Sequence, residues 1–299
     1  MPLSTRIQLD RPALSPVIAG CWRMADWGWT PMERLRWIEQ CLDRGVTTFD
    51  HADIYGGYTV EALFGEALAL APHLRHRMQL VSKCGIQLLH PARPEHRLKS
   101  YDTSGEHLVA SVENSLRALH TDRLDLLLIH RPDPLMNPFE VAETFTRLHA
   151  AGKVRAFGVS NFTPSQFALL HQSVPLVTNQ IELHPLYRAP LHDGTLDQLL
   201  GLNLRPMVWS PLAGGRLFTG TAPDALRVRA ALEDIGRRHG VAPATVAYAW
   251  LMRHPSRPQP LVGSQRIAAL DEALAALGLA MDAQTWHELW SAGEGAEVA

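Results

Sequence analysis

The sequence predicts an α/β protein folded as a (β/α)₈ TIM barrel with an N-terminal β-hairpin. Short apolar segments alternate with helical segments along most of the chain, which indicates repeated βαβ units. Most of these segments are apolar throughout, as strands covered on both faces of a parallel sheet are. The alternative, an open doubly wound sheet, predicts a Gly-x-Gly-x-x-Gly turn after an early strand, and the sequence has none.

The predicted strands form one continuous series. In chain order they are PVIAG near residue 18, GVTTFD, MQLVSK, LDLLLIH, VRAFGVS, PLVTNQ, RPMVWS and PLVGS. Residues 1–16, which include Pro12 and Pro16, are expected to form the hairpin that closes the bottom of the barrel. Because no linker, repeat or low-complexity segment interrupts the series, we expect residues 1–299 to form a single domain.

Capping residues mark the first turns of several helices. Three segments place a capping side chain, then proline, then Glu or Gln three positions after the cap: TPME from Thr30, NPFE from Asn137 and TPSQ from Thr163. Proline at the first helical position gives up an amide hydrogen that has no partner there, and the reciprocal cap satisfies others. The segment TSGE predicts a further cap at Thr103. Gly45 and Gly152 are expected to end helices in the left-handed conformation.

Composition and charge exclude several classes of protein. The chain has 299 residues, 46% of them hydrophobic, and a formal net charge of -2. No clustered basic face is visible, so no nucleic-acid partner is expected. The start lacks the features of a signal peptide and no run is long enough to span a bilayer, which predicts a cytoplasmic protein without a membrane partner. Cys21, Cys41 and Cys84 are scattered, which argues against a disulfide framework or a zinc site, and no metal is expected.

Nearly every predicted strand ends in a polar side chain. These residues are Asp50, Lys83, His130, Ser160 with Asn161, Gln180, Ser210 and Ser264. Taken singly, each is explained by an ordinary turn. In a (β/α)₈ barrel, however, the carboxyl ends of the strands surround one cavity, where the chemistry of such proteins occurs. If the barrel forms, these side chains therefore converge on one site.

Part of this set suits proton transfer to a carbonyl oxygen. A buried Lys83 ammonium needs a counter-ion, which Asp50 can supply. The positive charge near the hydroxyl of Tyr55 is expected to lower the pKa of that group from about 10, which makes Tyr55 a proton donor at neutral pH. Neutral His130 can donate a hydrogen bond to a substrate carbonyl oxygen and polarise it.

Other members of the set suit a cofactor that contains an amide and a ring. Asn161 and Gln180 carry amide groups that can hold another amide, such as the carboxamide of a nicotinamide. Trp209 offers a flat face on which a ring can stack. The sequence thus offers a group that polarises a carbonyl, an acid, and amide and aromatic side chains that can hold a nicotinamide. Together these groups predict hydride transfer to an aldehyde or a ketone.

Six segments of the chain resemble the strand-end motifs of the aldo-keto reductase superfamily. They are DHADIYGGYTVEALFGEAL, VSKCG, LDLLLIHRPDP, GKVRAFGVSNF, TNQIELHPL and WSPLAGGRL. HRPD and GVSNF resemble the bacterial branch, which is closer to channel-β-subunit-like members than to mammalian aldose reductases. The resemblance implies a (β/α)₈ barrel, reduction of small carbonyl substrates with NAD(P)H, and a catalytic tetrad of Asp50, Tyr55, Lys83 and His130.

By the same resemblance, the cofactor binds in an extended form without a Rossmann fold. The resemblance assigns the nicotinamide to Ser160, Asn161, Gln180 and Trp209, the pyrophosphate to Ser210, Leu212, Gly214, Gly215, Arg216 and Leu217, and the adenosine 2′-phosphate to Gly263, Ser264 and Arg266. The chain departs from the family at Ala268, Ala269 and Leu270, near which relatives carry an arginine, and at Ala273, where they carry an asparagine. NADPH is favoured because Arg266 suits a phosphate, and NADH stays possible.

The loop CWRMADWGW and other strand ends supply candidates for the substrate pocket. These are Trp22, Met24, Tyr58, Arg131 and Phe162. Trp27 and Trp29 belong to the same loop. A packed loop that covers the barrel explains Met24, Trp27 and Trp29 equally well.

Structural roles are the better interpretation for several other residues. His51 and Asp53 are expected to support the turn that follows the GVTTFD strand, for example by bonding to its backbone. Glu182 and His184 are expected to belong to a turn. Gly65 lies inside a helical pattern at a cost of about 1 kcal/mol against Ala, which predicts a close helix contact.

Two other functions fit parts of the sequence. A cofactor-sensing regulatory protein related to potassium-channel β subunits would keep the tetrad, turn over slowly and bind a partner. A metal-dependent barrel hydrolase would use His51, Asp53, Lys83, His130 and His184, but VIAGCW lacks the His-x-His pair that such sites commonly place on the first strand. The sequence does not identify the carbonyl substrate or the oligomeric state.

Overall fold

The computed structural model of the chain describes residues 11–298. Its strands are β1 (Ile18–Gly20), β2 (Thr48–Asp50), β3 (Gln79–Cys84), β4 (Ile86–Gln87), β5 (Ser100–Tyr101), β6 (Leu126–Ile129), β7 (Phe157–Ser160), β8 (Asn179–Glu182), β9 (Met207–Trp209) and β10 (Gln259–Val262). Its α-helices are α1 (Pro31–Asp43), α2 (Val60–Leu70), α3 (Gly105–Ala118), α4 (Pro138–Ala150), α5 (Pro164–Ser173), α6 (Thr195–Gly201), α7 (Arg216–Thr219), α8 (Pro223–His239), α9 (Pro243–Met252), α10 (Ile267–Ala275) and α11 (Ala283–Glu294).

Eight of these strands form a closed parallel barrel. Their order around the barrel is β1, β10, β9, β8, β7, β6, β3, β2. Each of the eight predicted segments overlaps one of these strands, so the predicted (β/α)₈ fold is confirmed. Because the strands are parallel, their carboxyl ends lie at the same end of the barrel.

The chain divides into two compact units, Met1–Gln180 and Ile181–Ala299. The core of the first unit includes the fully buried side chains of Phe49, Phe64 and Leu128. In the second unit, the rings of Trp250 and Trp286 stack with their centroids 5.1 Å apart. Each of these indole nitrogens donates to the backbone carbonyl of the other tryptophan, at 3.1 and 3.0 Å. The single domain expected from the sequence stays a prediction.

The helix signals in the sequence are mostly confirmed. The predicted caps form at Thr30, Asn137 and Thr163. The cap predicted at Thr103 is wrong by one residue, because Ser104 accepts from the His107 amide at 3.3 Å while the Thr103 hydroxyl donates to Asp133. Gly45 and Gly152 follow helices with φ of 75° and 71°, the left-handed conformation that glycine adopts without strain.

Two hairpins differ from the sequence expectation. The predicted N-terminal hairpin lies largely outside the described residues, and residues 11–17 contain no strand. A hairpin that the sequence does not signal follows the barrel strand β3, where β4 and β5 pair antiparallel. Strands of two residues are too short to produce a periodic pattern, which explains why this hairpin escapes prediction.

The remaining sequence expectations concern cysteines and membrane spans. Cys21, Cys41 and Cys84 are buried free thiols, and burial raises the pKa of the Cys84 thiol well above its ordinary value. Cys84 is thus a buried thiol, although it is the neighbour of Lys83 in the sequence. None of the helices within residues 11–298 combines the length and the apolarity needed to cross a membrane.

Candidate active site

Neighbouring strands of the first unit carry three of the predicted catalytic side chains. Asp50 ends β2, Lys83 is the penultimate residue of β3, and His130 directly follows β6. β3 pairs with β2 on one side and with β6 on the other. The His130 amide donates to the Cys84 carbonyl at 2.8 Å, which continues the ladder past the end of β6. The barrel therefore brings these residues to one rim.

Tyr55 lies on the loop between β2 and α2. Its amide donates to the Ala52 carbonyl at 3.1 Å, and Gly56 and Gly57 follow with φ of 58° and 64°. This left-handed backbone favours glycine. The two glycines turn the chain toward α2 while the Tyr55 ring stays against Lys83, whose Nζ lies 4.8 Å from the ring centroid.

The Lys83 ammonium lies at the centre of the site and is fully buried. Its Nζ donates to Asp50 Oδ2 at 2.7 Å, to the His51 carbonyl at 2.8 Å and to the Tyr55 hydroxyl at 2.9 Å. An ammonium has three N–H donors, and all three are used. Because the Tyr55 oxygen accepts this bond, the hydrogen of its own O–H group is left for another acceptor.

Burial and charge act in opposite directions on Asp50 and Lys83. Burial raises the pKa of Asp50, while the charge of Lys83 and hydrogen bonds from Lys83 and Gln180 oppose the rise. Burial lowers the pKa of Lys83, but Asp50 and Tyr55 together outweigh burial and raise that pKa above its ordinary value. Gln180 Nε2 donates to Asp50 Oδ1 at 2.8 Å, so both carboxylate oxygens accept hydrogen bonds. We assign the pair as a carboxylate and an ammonium.

The pKa of Tyr55 differs from the sequence expectation. The sequence predicts a pKa below about 10, but burial raises the pKa of Tyr55 by more than the charge and hydrogen bond of Lys83 lower it. Tyr55 as a residue is half-buried, whereas its hydroxyl is bonded to a fully buried ammonium. The phenol is therefore protonated at neutral pH. Lys83 limits the rise and stabilises the phenolate that forms when the proton leaves.

His130 is neutral, as the sequence predicts. Burial lowers its pKa well below the ordinary value, and the positive charges of Lys83, Arg131 and Lys99 act in the same direction. Its ring meets the Tyr55 ring edge-on, with centroids 5.9 Å apart. Its Nδ1 is buried and has no hydrogen-bond partner in the described part of the chain. With no acceptor at Nδ1, the tautomer that carries its hydrogen on Nε2 is favoured, and this nitrogen can donate to a substrate.

Ser160, Asn161 and Gln180 form a connected polar group at the ends of β7 and β8. The Ser160 hydroxyl donates to the Gln180 carbonyl at 3.0 Å, and the Asn161 side-chain amide donates to the Ser160 hydroxyl at 2.7 Å. Asn161 has a φ of 61°, an uncommon conformation that often marks functional sites. These groups fit a carboxamide. The Gln180 Nε2 also donates to Asp50 Oδ1, which uses one of its two hydrogens.

In the second unit, the segment after β9 carries the residues assigned to the pyrophosphate. Trp209 is half-buried, and Ser210 has a φ of 49°. Gly214 and Gly215 have φ of 66° and 99°, and a Cβ added to either would meet nothing within 4 Å. Open glycine backbone of this kind fits an anion such as a pyrophosphate. The Leu217 side chain is fully buried, so the backbone is the part of Leu217 that could contact the pyrophosphate, and its assignment stays a prediction.

Gly263, Ser264 and Arg266 lie between β10 and α10. The Ser264 hydroxyl accepts from the Arg266 amide at 3.1 Å, and the Arg266 side chain is exposed. Ala269 and Ala273, which stand where the family resemblance leads us to expect polar residues, are 5% and 0% exposed. Arg266 is therefore the residue of this segment whose guanidinium fits a phosphate.

Exposure separates the candidates for the substrate pocket. Trp22 is 58% exposed, and Tyr58 and Arg131 are half-buried. Met24 and Phe162 are 1% and 2% exposed. Such deep burial favours packing inside the protein for Met24 and Phe162, and their assignment to the pocket stays a prediction.

The loop after β1 is held by packing. The rings of Trp27 and Trp29 lie 4.8 Å apart, and Trp27 also meets Trp37 of α1 at 5.1 Å. The Arg34 guanidinium donates to the Trp29 carbonyl at 2.8 Å and to the Leu63 carbonyl at 2.6 Å. These contacts favour the packed loop over a pocket wall at Trp27 and Trp29.

His51 and Asp53 have different roles from each other. Both ring nitrogens of His51 are buried without a partner in residues 11–298, so this ring does not bond to the turn backbone as expected. The ring packs against Phe64 at 4.6 Å, and burial lowers the pKa of His51 to about 3. Burial raises the pKa of Asp53, and the expected backbone hydrogen bond, with Ile54, opposes the rise.

Glu61 is a buried carboxyl group that sequence reasoning missed. The Ser82 hydroxyl donates to it at 2.5 Å and the Ser115 hydroxyl at 3.0 Å, and burial raises the pKa of Glu61. These bonds tie α2 to α3 and to β3 directly beside the catalytic lysine. Its spacing from Phe64 and Leu68 places it on the apolar face of α2, which is the signal that could have revealed it.

Glu182 is the last residue of β8, whereas His184 begins the turn that the sequence predicts. His184 Nε2 lies 2.9 Å from Glu182 Oε1, and the His184 backbone exchanges hydrogen bonds with Tyr187. Within residues 11–298, no group of three or more His, Cys, Asp or Glu side chains is arranged to hold a metal ion.

Known proteins resemble this chain over almost its full length. Residues 16–294 match the model of the Aldo/keto reductase family. Oxidoreductase YdhF of Escherichia coli (strain K12) is 50% identical over 289 residues, which cover 96% of each chain. A 6-dehydroglucose reductase of Agrobacterium fabrum is 45% identical over 293 residues, which cover 97% of this chain and 98% of that protein.

A solved structure shows the same fold. It is the glycerol dehydrogenase of Gluconobacter oxydans, with a TM-score of 0.83 at 23% identity, covering 98% of this chain and 97% of that chain. The family match and the names of the relatives favour neither the regulatory nor the hydrolase alternative. They identify an NAD(P)H-dependent oxidoreductase that reduces carbonyl compounds. With the barrel and the family match in agreement, this chain belongs to the aldo/keto reductase family.

Proposed function

We propose that the protein reduces small aldehydes or ketones to alcohols with NADPH, and that Tyr55 donates the proton. The observation that carries this proposal is the Lys83 ammonium, which is paired with Asp50 and donates to the Tyr55 oxygen. This arrangement leaves the phenol hydrogen available and places a positive charge where the phenolate forms. The relative named 6-dehydroglucose reductase supports a small carbonyl compound as the substrate.

Each residue of the tetrad has a defined part in the reduction. When bound, the cofactor supplies a hydride to the carbonyl carbon. His130 donates a hydrogen bond from Nε2 to the carbonyl oxygen and stabilises the negative charge that develops there. Tyr55 transfers its proton to this oxygen, which completes the alcohol, and Lys83 stabilises the phenolate. Asp50 keeps Lys83 charged, and a proton returns to Tyr55 from solvent.

The cofactor residues follow the family resemblance and the fit of their groups. The carboxamide would be held by Ser160, Asn161 and the oxygen of Gln180, with Trp209 as the stacking face. Gly214 and Gly215 would lie against the pyrophosphate, and Arg266 would bind the 2′-phosphate. We favour NADPH over NADH because this guanidinium is exposed. We further propose that the protein is cytoplasmic, needs no metal, and binds neither nucleic acid nor a membrane.

A deuterium label tests the proposed function. A panel of small aldehydes is reduced with NADPH that carries deuterium in place of both hydrogens at C4 of the nicotinamide, and the product is analysed by mass spectrometry and NMR. We expect one deuterium on the carbinol carbon, because the hydride goes directly from the cofactor to the carbonyl carbon. An unlabelled product, or no oxidation of NADPH with any aldehyde of the panel, would contradict the proposal.

The same assay with NADH is the control for the cofactor. We expect a higher kcat/KM with NADPH, and a smaller difference between the two cofactors in Arg266→Ala, since only NADPH carries the 2′-phosphate. If Arg266→Ala lowers kcat/KM by the same factor with both cofactors, Arg266 does not bind the 2′-phosphate.

A further inference from the structure

The chain turns out of the barrel at Asn161, directly after β7. This residue has a φ of 61°, which is uncommon for a residue other than glycine. Its amide donates to the Gln180 carbonyl at 2.9 Å, which continues the ladder between β7 and β8 by one bond. The next residue, Phe162, bonds to a side chain of β8.

The Asn179 side chain takes the place of a strand partner for Phe162. Its Oδ1 accepts from the Phe162 amide at 3.3 Å, and its Nδ2 donates to the Phe162 carbonyl at 2.8 Å. Two opposed residues of an antiparallel ladder exchange the same pair of bonds. Because Asn179 and Phe162 are 1% and 2% exposed, water is a poor substitute for either bond.

Helix α5 anchors the far side of the turn. Thr163 caps this helix through reciprocal hydrogen bonds with Gln166. Phe162 lies between this cap and the left-handed residue Asn161. A rotation of Asn161 out of the left-handed conformation would move Phe162 relative to β8 and break its bonds to Asn179. The Asn179 amide therefore holds the turn in place.

The turn orients the side chains that fit a carboxamide. Asn161 Nδ2 donates to the Ser160 hydroxyl at 2.7 Å, and this hydroxyl donates to the Gln180 carbonyl at 3.0 Å. The Gln180 side chain in turn donates to Asp50 of the tetrad at 2.8 Å. Because the backbone of Asn161 sets the direction of its side chain, the turn keeps this group of bonds beside the catalytic residues.

Asn179 acts on this group through the backbone. Successive side chains of a strand point to opposite faces, and the Gln180 side chain reaches Asp50. The Asn179 side chain therefore points to the other face of β8, where it meets Phe162. Its amide is suited to this position because it both donates and accepts, whereas an ionised carboxylate only accepts and an apolar side chain does neither.

We propose that Asn179 is a positioning residue for the carboxamide of the nicotinamide. Through its two bonds to Phe162 it keeps Asn161 in the left-handed conformation, from which the Asn161 side chain binds the carboxamide. This inference rests on the proposed function, and it adds a residue that acts on the bound cofactor through the backbone of its neighbours.

Two ligands that differ by the nicotinamide ring separate positioning from folding. ADP-ribose 2′-phosphate shares the adenosine, pyrophosphate and ribose groups of NADPH but has no carboxamide. Asn179→Leu keeps four heavy atoms in the side chain and removes both hydrogen bonds. We expect it to raise the Kd for NADPH about three- to tenfold in calorimetric titration. The Kd for ADP-ribose 2′-phosphate should stay within about twofold of the wild type, which a general loss of structure would not allow.

Asn179→Asp is the conservative variant, and it decides the question if Asn179→Leu does not fold. Burial raises the pKa of a carboxyl group, and a protonated carboxyl both donates and accepts as the amide does. At about pH 6 we expect this variant to bind NADPH within about twofold of the wild type at the same pH. Toward about pH 9, ionisation removes the donor, and the Kd for NADPH should rise against that of the wild type.

Asn114→Leu is the control for the change from asparagine to leucine. Asn114 is exposed on α3, where its side chain accepts from Arg117, and its loss should leave both Kd values unchanged. An Asn179→Leu protein that behaves like Asn114→Leu, or that loses both ligands by the same factor, would overturn the positioning role. So would an Asn179→Asp protein that follows the wild type at both pH values. A wild type that binds neither NADPH nor NADH would instead contradict the proposed function.

Discussion

One buried ammonium organises the catalytic residues. Lys83 uses its three hydrogens on Asp50, on the His51 carbonyl and on Tyr55. Removing Lys83 would leave Asp50 as a buried carboxylate without its cation, a change that typically destabilises a protein by about 3–5 kcal/mol. A Lys83 variant would therefore mix loss of stability with loss of chemistry. Tyr55 lies at the edge of this group, so its hydroxyl can be removed while the ion pair is kept.

His51 should make the protein sensitive to acid. Its pKa is about 3 in the folded protein against 6.5 for a free histidine, because burial disfavours the imidazolium. As the pH falls, His51 is therefore protonated in the unfolded chain before it is protonated in the folded protein. The stability contributed by neutral His51 is fully present above pH 6.5 and is lost as the pH falls toward 3. By pH 4 the loss amounts to roughly 3 kcal/mol.

Urea unfolding of His51→Leu at pH 7 and pH 4 measures this contribution. Leucine fills a similar volume and does not titrate, so we expect the variant to lose roughly 3 kcal/mol less between the two pH values than the wild type. His76→Leu, which removes an exposed histidine, is the control. Equal acid sensitivity of the wild type and His51→Leu would show that His51 does not carry this effect.

Helices α2 and α3 are held together by backbone contact as well as by side chains. A Cβ added at Gly65 would lie 1.9 Å from the Ala118 carbonyl oxygen, which confirms the close helix contact predicted at this glycine. Glu61, one turn earlier on α2, accepts a hydrogen bond from Ser115 of α3. Because α2 follows the Tyr55 turn, this contact also fixes one side of the active site.

Gly65→Ala tests the contact between the helices. Alanine favours a helix over glycine by up to about 1 kcal/mol, but here the added methyl group has no space, and overpacking costs about 1–3 kcal/mol or more. We expect a lower free energy of unfolding for Gly65→Ala in urea titration. Gly201→Ala in α6, where a Cβ would meet nothing within 4 Å, should be neutral or stabilising. A Gly65→Ala protein as stable as Gly201→Ala would contradict the close contact.

The whole molecule shows which features a sequence can reveal. The barrel is predictable because each strand is an apolar segment, and the catalytic rim is predictable because polar residues such as Asp50 and His130 follow those segments. Features that depend on the depth of burial cannot be predicted from the sequence. The net pKa of Tyr55 depends on how deeply its hydroxyl lies, and the packing of Met24 depends on the path of its loop. The hairpin of β4 and β5 escapes prediction because its strands are too short to show a pattern.

Turnover and cofactor affinity of Tyr55→Phe test the proton donor most directly. The substitution removes one hydroxyl group and leaves Lys83 paired with Asp50. We expect kcat for aldehyde reduction to fall by about 10²–10⁴-fold, the usual contribution of general acid catalysis. The Kd for NADPH, measured by tryptophan fluorescence, should stay within about twofold of the wild type, since the cofactor residues are unchanged. A Tyr55→Phe enzyme that reduces aldehydes at the wild-type rate would contradict Tyr55 as the proton donor.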